Sequence, residues 1–246
     1  MNKLVRKVIV VTGGSGLIGK AIIAHLISEG AVAINAEIDV TDDLENRVIN
    51  CDVTQSESVQ TAINKILERY ERIDGWVNNA YPRTSDWGLP FEEVPAESWK
   101  KNVDLQLNSI FICSQLILKI MQDQRSGSIV NLSSIYGVVG PDFGVYQGTG
   151  MTMPAAYAAI KGGVVNFTRY LASYYGRDRI RVNCVSPGGI FNNQNKEFVK
   201  HYEDRVPMGR MGLASEIAPA ISFLLSDEAS YITGHNLMID GGWTAI

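Results

Sequence analysis

Val8-Ile9-Val10-Val11-Thr12-Gly13-Gly14-Ser15-Gly16-Leu17-Ile18-Gly19 is the stretch that decides the fold. Its first four residues are apolar and β-branched, as a strand buried on both faces reads. After the glycines, Leu17, Ile18, Ala21, Ile22, His25 and Leu26 fall on one helical face until Gly30 stops the helix. A glycine turn between strand and helix bends tightly and lets a pyrophosphate approach the backbone. It also aims the N–H groups of the following helix at that phosphate. Gly13, Ser15, Gly16, Leu17, Ile18 and Gly19 are therefore candidate dinucleotide-binding residues. A phosphate-only loop is disfavoured, because no Lys-Ser/Thr pair follows the last glycine.

Outward from this unit the same alternation continues. Strand-like runs recur at 32–38, 47–51, 73–77, 128–132, 180–185 and 236–239. Val59, Ala62, Ile63, Ile66, Leu67 and Tyr70 make a second helical stripe, and helical stretches follow at 97–121, 155–175 and 215–226. Strands alternating with amphipathic helices pair in parallel through right-handed crossovers. The expectation is an α/β, single-domain Rossmann fold over residues 1–246, a doubly wound seven-stranded parallel sheet with helices on both faces. Loops at 81–95, 138–154 and 189–212 are left to recognise a substrate.

The chain has 246 residues, 46% of them hydrophobic and 20% charged, an ordinary globular balance. Twenty-two Lys and Arg against 26 Asp and Glu leave no positive excess, which argues against nucleic acid as a partner. Cys51, Cys113 and Cys184 are widely spaced and His25, His201 and His235 lack ligand spacing, so neither a disulfide framework nor a metal site is expected. The apolar run after the basic start is too short for a signal-peptide core, and no stretch approaches a membrane span of roughly 20 residues. A soluble, cytoplasmic protein with reduced thiols and no membrane partner is expected.

In a doubly wound sheet, ligands bind beyond the carboxyl ends of the strands. Polar and glycine residues collect there: Glu37 after strand two, Asp52 after three, Asn78-Asn79 after four, Ser133-Ser134 after five and Pro187-Gly188 after six. Glu37 stands 18 residues beyond Gly19, where a carboxylate accepts hydrogen bonds from adenosine ribose hydroxyls and repels a 2′-phosphate. NAD is expected as cofactor, with NADP disfavoured. Tyr157 and Lys161, four apart on one helix, share a face. An adjacent ammonium lowers a tyrosine's pKa, so the pair reads as a tuned acid–base, with Ser134 upstream. Tyr136 and Tyr146 have glycines four residues on and cannot form such a pair. Tyr170, Tyr174 and Tyr175 read as packing residues, Met151 and Met153 as loop filler, and Cys113 as core.

With these residues in place, the sequence resembles the short-chain dehydrogenase/reductase family over nearly its whole length. The resemblance rests on the 12–19 turn, Asp52-Val53, Asn78-Asn79-Ala80, Ser134, Tyr157 with Lys161, Pro187-Gly188, and Ile232-Thr233-Gly234 with Asp240-Gly241-Gly242. It implies hydride transfer between a nicotinamide and an alcohol or carbonyl. It also implies that Asp52 and Val53 hold the adenine, and that Asn78, Asn79 and Ala80, with Pro187, Gly188 and Ile190, line the cofactor. Lys161 would contact the nicotinamide ribose. Homodimers or homotetramers built from helix pairs and the C-terminal segment are implied too.

The chain departs from the family pattern at four places. Leu17 replaces the penultimate glycine, Tyr81 stands where a glycine completes Asn-Asn-Ala-Gly, Gln106 holds the position of a proton-relay asparagine, and Asn192 that of a threonine. Asn108 lies about 200° round an ideal helix from Gln106 and does not substitute simply. Ser134 and Tyr157 are 23 residues apart, about ten more than the family spacing, so an extra segment with Asp142, Tyr146, Gln147 and Thr149 arches over the substrate. Tyr81, Arg83, Asp86 and Trp87 add a second wall. Tyr81, Arg83 and Tyr146 are the candidate substrate contacts, suited to a polar, hydroxylated or anionic small molecule. The runs 78–83, 133–137 and 186–191 resemble the branch associated with flagellin modification and legionaminic-type sugars. An NAD-retaining epimerase or dehydratase and a non-catalytic nucleotide sensor are the competing functions.

Overall fold

The computed structural model describes residues 3–246. Seven strands form a parallel sheet: β1 (Val8–Thr12), β2 (Val32–Glu37), β3 (Val48–Asn50), β4 (Gly75–Asn78), β5 (Gly127–Leu132), β6 (Ile180–Pro187) and β7 (Asn236–Ile239). Their order is β3-β2-β1-β4-β5-β6-β7. The winding reverses between β1 and β4, which opens a crevice at their carboxyl ends.

The two-residue period of a strand sends alternate side chains to opposite faces. Val8, Val10, Trp76 and Ile129 point into one core, where α2 (Ser56–Tyr70), α4 (Ser109–Gln124) and α5 (Ala155–Tyr175) contribute Ile63, Ile66, Cys113, Ile117, Leu118 and Leu171. Ile9, Val11, Val77 and Val130 point into the other, under α1 (Leu17–Ser28) and α7 (Ala214–Leu225) with Ile22, Leu26, Ile217, Ile221 and Leu224. At roughly 1.5–3 kcal/mol per fully buried aliphatic side chain, these two layers dominate the stability.

A third apolar cluster lies outside both layers, above the carboxyl edge of the sheet. It joins Ile135 and Tyr136, after β5, to Val145 and Tyr146 and to Phe198, Tyr202, Val206, Met211 and Trp243. Phe198 and Tyr202 sit on α6 (Lys196–Arg205), so the expected 189–212 loop is in fact built around a helix. Asn195 caps it, accepting from the Glu197 N–H at 2.8 Å.

Two further expectations change. The helix expected at 97–121 is α3 (Ala96–Val103), a π turn (Asp104–Asn108) and α4, a continuous path of 29 residues. That path is long and apolar enough to cross a membrane, contrary to the sequence reading. Its Cys113, Ile117, Leu118 and Met121 are instead buried against the sheet. Tyr170 and Tyr174 are not packing residues: they are 60% and 64% exposed, stacked in a ladder with Phe167 along the outer face of α5.

Candidate active site

The crevice holds a cavity of about 700 Å³. One end is built by the glycine turn. Gly13 has φ +64°, and a Cβ there would lie 2.9 Å from the Ala80 Cα. At Gly19 a Cβ would lie 2.7 Å from the Gly14 Cα, so the turn closes only without side chains. Helix α1 starts at Leu17 with no side-chain cap, which leaves its first-turn N–H groups facing the cavity beside Gly16, Ile18 and Gly19. A helix start of this kind fits a pyrophosphate. Glu37 lines the same end, accepting from the Ser15 N–H at 3.0 Å and the Ile38 N–H at 3.2 Å. Asn79 and Ala80 form the floor, both N–H groups donating to Thr12 Oγ1 at 3.0 and 3.1 Å.

Ser134, Tyr157 and Lys161 meet in the middle, with Pro187, Gly188 and Ile190 opposite. The Ser134 hydroxyl accepts from the Tyr136 N–H at 3.2 Å, which orients it. The Lys161 ammonium donates to the Leu132 carbonyl at 2.8 Å and stands 5.6 Å from the ring centres of both Tyr81 and Tyr157. Burial lowers the lysine from 10.5 to about 8. Burial also raises the Tyr157 phenol, against a smaller lowering by its hydrogen bond with Ser134. The expected tuning by the ammonium is therefore corrected: the cation faces the ring, and desolvation sets the direction. Tyr157 stays protonated at neutral pH, the state that donates to a carbonyl oxygen.

The other end is roofed by Tyr136, Tyr146, Phe198, Tyr202 and Met211, with Tyr81 and Arg83 at the side. Met153 also lines the cavity, so it is more than loop filler. The Tyr202 hydroxyl accepts from the Gly189 N–H at 2.6 Å and its ring stacks on Trp243. Sequence reasoning missed Gln194, Phe198, Tyr202 and Met211. The i,i+4 pair Phe198/Tyr202 behind the capping residue Asn195 was the signal for the two aromatics.

The family model described as enoyl-(acyl carrier protein) reductase matches residues 18–244. Post-translational flagellin modification protein A of Campylobacter coli is 35% identical over 253 residues, covering 98% of this chain and 99% of that protein. Levodione reductase of Leifsonia aquatica is 32% identical over 264 residues, covering 97% and 94%. The crystal structure of a short-chain dehydrogenase from Leptospira borgpetersenii with bound NAD+ superposes with a TM-score of 0.88 at 35% identity, covering 99% of this chain and 94% of that one. The chain is a short-chain dehydrogenase/reductase.

As a short-chain dehydrogenase/reductase it is an NAD(P)-dependent oxidoreductase of alcohol and ketone groups. Several residues that the resemblance put at the site do not line the cavity of this enzyme. The Asp52 carboxylate is taken up by the Thr54 N–H and hydroxyl, at 2.9 and 2.7 Å, and Val53 is buried in the core. Ser15 contributes its N–H to Glu37 and accepts from Asn35 Nδ2, but it does not reach the cavity wall. Asn78 is consumed within the sheet, accepting from Trp76 Nε1 and donating to Asn131 Oδ1, both at 2.8 Å. Gln106 is 3% exposed in the π turn, with both amide atoms unpartnered and away from the cavity lining. The π turn also alters the angular offset computed for Asn108, whose amide donates to Asp104 at 2.8 Å.

Proposed function

We propose that this short-chain dehydrogenase/reductase interconverts a secondary alcohol and a ketone on a polar, sugar-like small molecule, with NAD preferred over NADP. The convergence of Ser134, Tyr157 and Lys161 beside the glycine turn in a single cavity carries the proposal. A bound nicotinamide supplies or accepts the hydride. Tyr157 gives its proton to the substrate oxygen in reduction and takes it back in oxidation. The Ser134 hydroxyl donates to the same oxygen and stabilises charge developing there. Lys161 keeps positive charge next to the phenol and reaches toward the cofactor's ribose. Gln106, lacking a partner and set back from the cavity, takes no direct part in the transfer.

Glu37 supports the NAD preference, since its carboxylate stands at the end of β2 with no basic side chain beside it in the cavity wall. Wild type is expected to show the higher kcat/KM with NAD. Glu37→Ser should narrow the NAD/NADP ratio by about tenfold or more, the worth of relieving one charge repulsion. A wild-type preference for NADP above about tenfold would overturn the assignment.

The hydroxyl-rich roof supports a hydroxylated substrate. Arg83 supports an anionic group on it: the side chain lines the cavity and has no acidic partner among the described residues. Similarity to a flagellin-modification protein supports the sugar-like class. The deciding experiment is a screen of phosphorylated and nucleotide-linked sugars with both cofactors, read by NADH or NADPH absorbance. Turnover confined to lipids or steroids would refute the substrate class.

We also propose a homodimer or homotetramer in which the outer faces of α4 and α5 meet. Phe111, Tyr170 and Tyr174 are exposed there and stack through Phe167, a patch that water leaves costly. Replacing Tyr170 and Tyr174 together with lysine should lower the mass measured by light scattering to a smaller species. An unchanged mass would remove this face from the assembly. Three unpaired cysteines, all buried, support a reducing, cytoplasmic setting.

A further inference from the structure

We infer that the Tyr146 hydroxyl is a second hydrogen-bond donor to the substrate, selecting a molecule with a further oxygen besides the reacting one. The inference rests on the polar-alcohol function proposed above and narrows it. Tyr146 belongs to the segment that lengthens the interval between Ser134 and Tyr157. The internal bonding of that segment serves to hold this one ring.

On the upstream side, Asp142 accepts from the Gly144 N–H at 2.8 Å and pairs with Arg205 at the end of α6. On the downstream side, the Thr149 hydroxyl donates to the Tyr146 carbonyl at 2.6 Å and accepts from the Met151 N–H at 3.1 Å. The ring packs 5.3 Å from Phe198, centre to centre, and is only 8% exposed, yet it lines the cavity with Ser134 and Tyr157. An irregular loop fixed at both ends gives the phenol one position and little freedom, which is the condition for a specific donor.

Burial raises both the Tyr136 and the Tyr146 phenol, the latter to about 12, so both keep their protons at neutral pH. A protonated phenol has one hydrogen to donate. No protein acceptor takes that proton among the described residues, and the cavity lies beside it. The Tyr146 hydroxyl thus serves the region of the reacting oxygen, while Ser134 and Tyr157 serve that oxygen itself. An isolated alcohol leaves this donor desolvated and unpaired, a penalty that disfavours it against a diol.

The test compares cyclohexanol, cyclohexane-1,2-diol and cyclohexane-1,3-diol as substrates, with NAD and with NADP, for wild type, Tyr146→Phe and Thr149→Val. Wild type should turn over at least one diol with kcat/KM about tenfold or more above cyclohexanol. Tyr146→Phe keeps the ring and its packing, and should bring that ratio down toward the factor of about two that two reactive hydroxyls give by statistics. Thr149→Val removes the hydroxyl that ties the Tyr146 carbonyl to the Met151 N–H and should lower the ratio part-way, which also covers the case of a Tyr146 variant that does not fold. A ratio unchanged in both variants overturns the inference, as does a wild type that treats diols and cyclohexanol alike; the proposed function then stands without it. A wild type that binds cofactor but oxidises none of the three also overturns the inference, whereas the proposed function is decided by the sugar screen.

Discussion

Tyr157→Phe should lower kcat by about 10³ or more while cofactor titrations remain close to those of wild type, since proton transfer by a positioned side chain contributes roughly 10²–10⁴. The substitution removes one oxygen and keeps a ring that packs edge-on against Tyr81 and Trp87, at 5.9 and 6.3 Å between centres. The cavity therefore keeps its shape. Near-normal turnover of the true substrate by the phenylalanine variant would remove Tyr157 from the chemistry.

Lys161→Met should abolish most turnover yet make the cofactor-free protein more stable at neutral pH. Holding the ammonium in the buried site lowers its pKa from 10.5 to about 8. At 1.36 kcal/mol per unit, that displacement corresponds to about 3 kcal/mol of cost to the native state. Losing the bond to the Leu132 carbonyl returns about 1–2 kcal/mol of it. The net gain of about 1–2 kcal/mol should raise the unfolding midpoint by roughly 3–6 °C in a chain of this size.

The pH dependence separates charge relief from better packing. Below about pH 8 the lysine is protonated both folded and unfolded, so wild type carries the whole cost. Between pH 8 and 10.5 unfolding takes up a proton, and wild-type stability rises relative to the variant. Thermal melts across that interval should show the advantage of methionine shrinking. An advantage independent of pH would mean that packing, not charge, is responsible. Selection for a buried cation at a net loss of stability is expected where the charge serves catalysis.

The parts of this enzyme legible in its sequence are those fixed by short-range physics. β7 and α5 fall where hydrophobic periodicity puts them, because each is a run of one period between clear breaks. The glycine turn, Ser134, Tyr157 and Lys161 were legible because strand ends in a doubly wound sheet converge, so order along the chain maps onto a crevice. What stayed hidden depends on contacts between distant segments. Asp52 is a polar residue at a strand end like Glu37, yet Thr54, two residues on, captures its carboxylate. Gln106 cannot be placed without knowing that the helix widens into a π turn, since one added residue rotates everything after it. Tyr170 and Tyr174 continue the apolar pattern of α5 but fall on the side that the sheet does not cover.

The third apolar cluster has a consequence for how specificity changes in evolution or by design. The 138–154 segment supplies Val145 and Tyr146, and the 189–212 segment supplies Phe198, Tyr202, Val206 and Met211, with Asp142 and Arg205 joined across them. Neither segment has a core of its own, so one transplanted alone would expose half of a hydrophobic interface. The two are a single heritable cassette: they can be exchanged between scaffolds only as a matched pair.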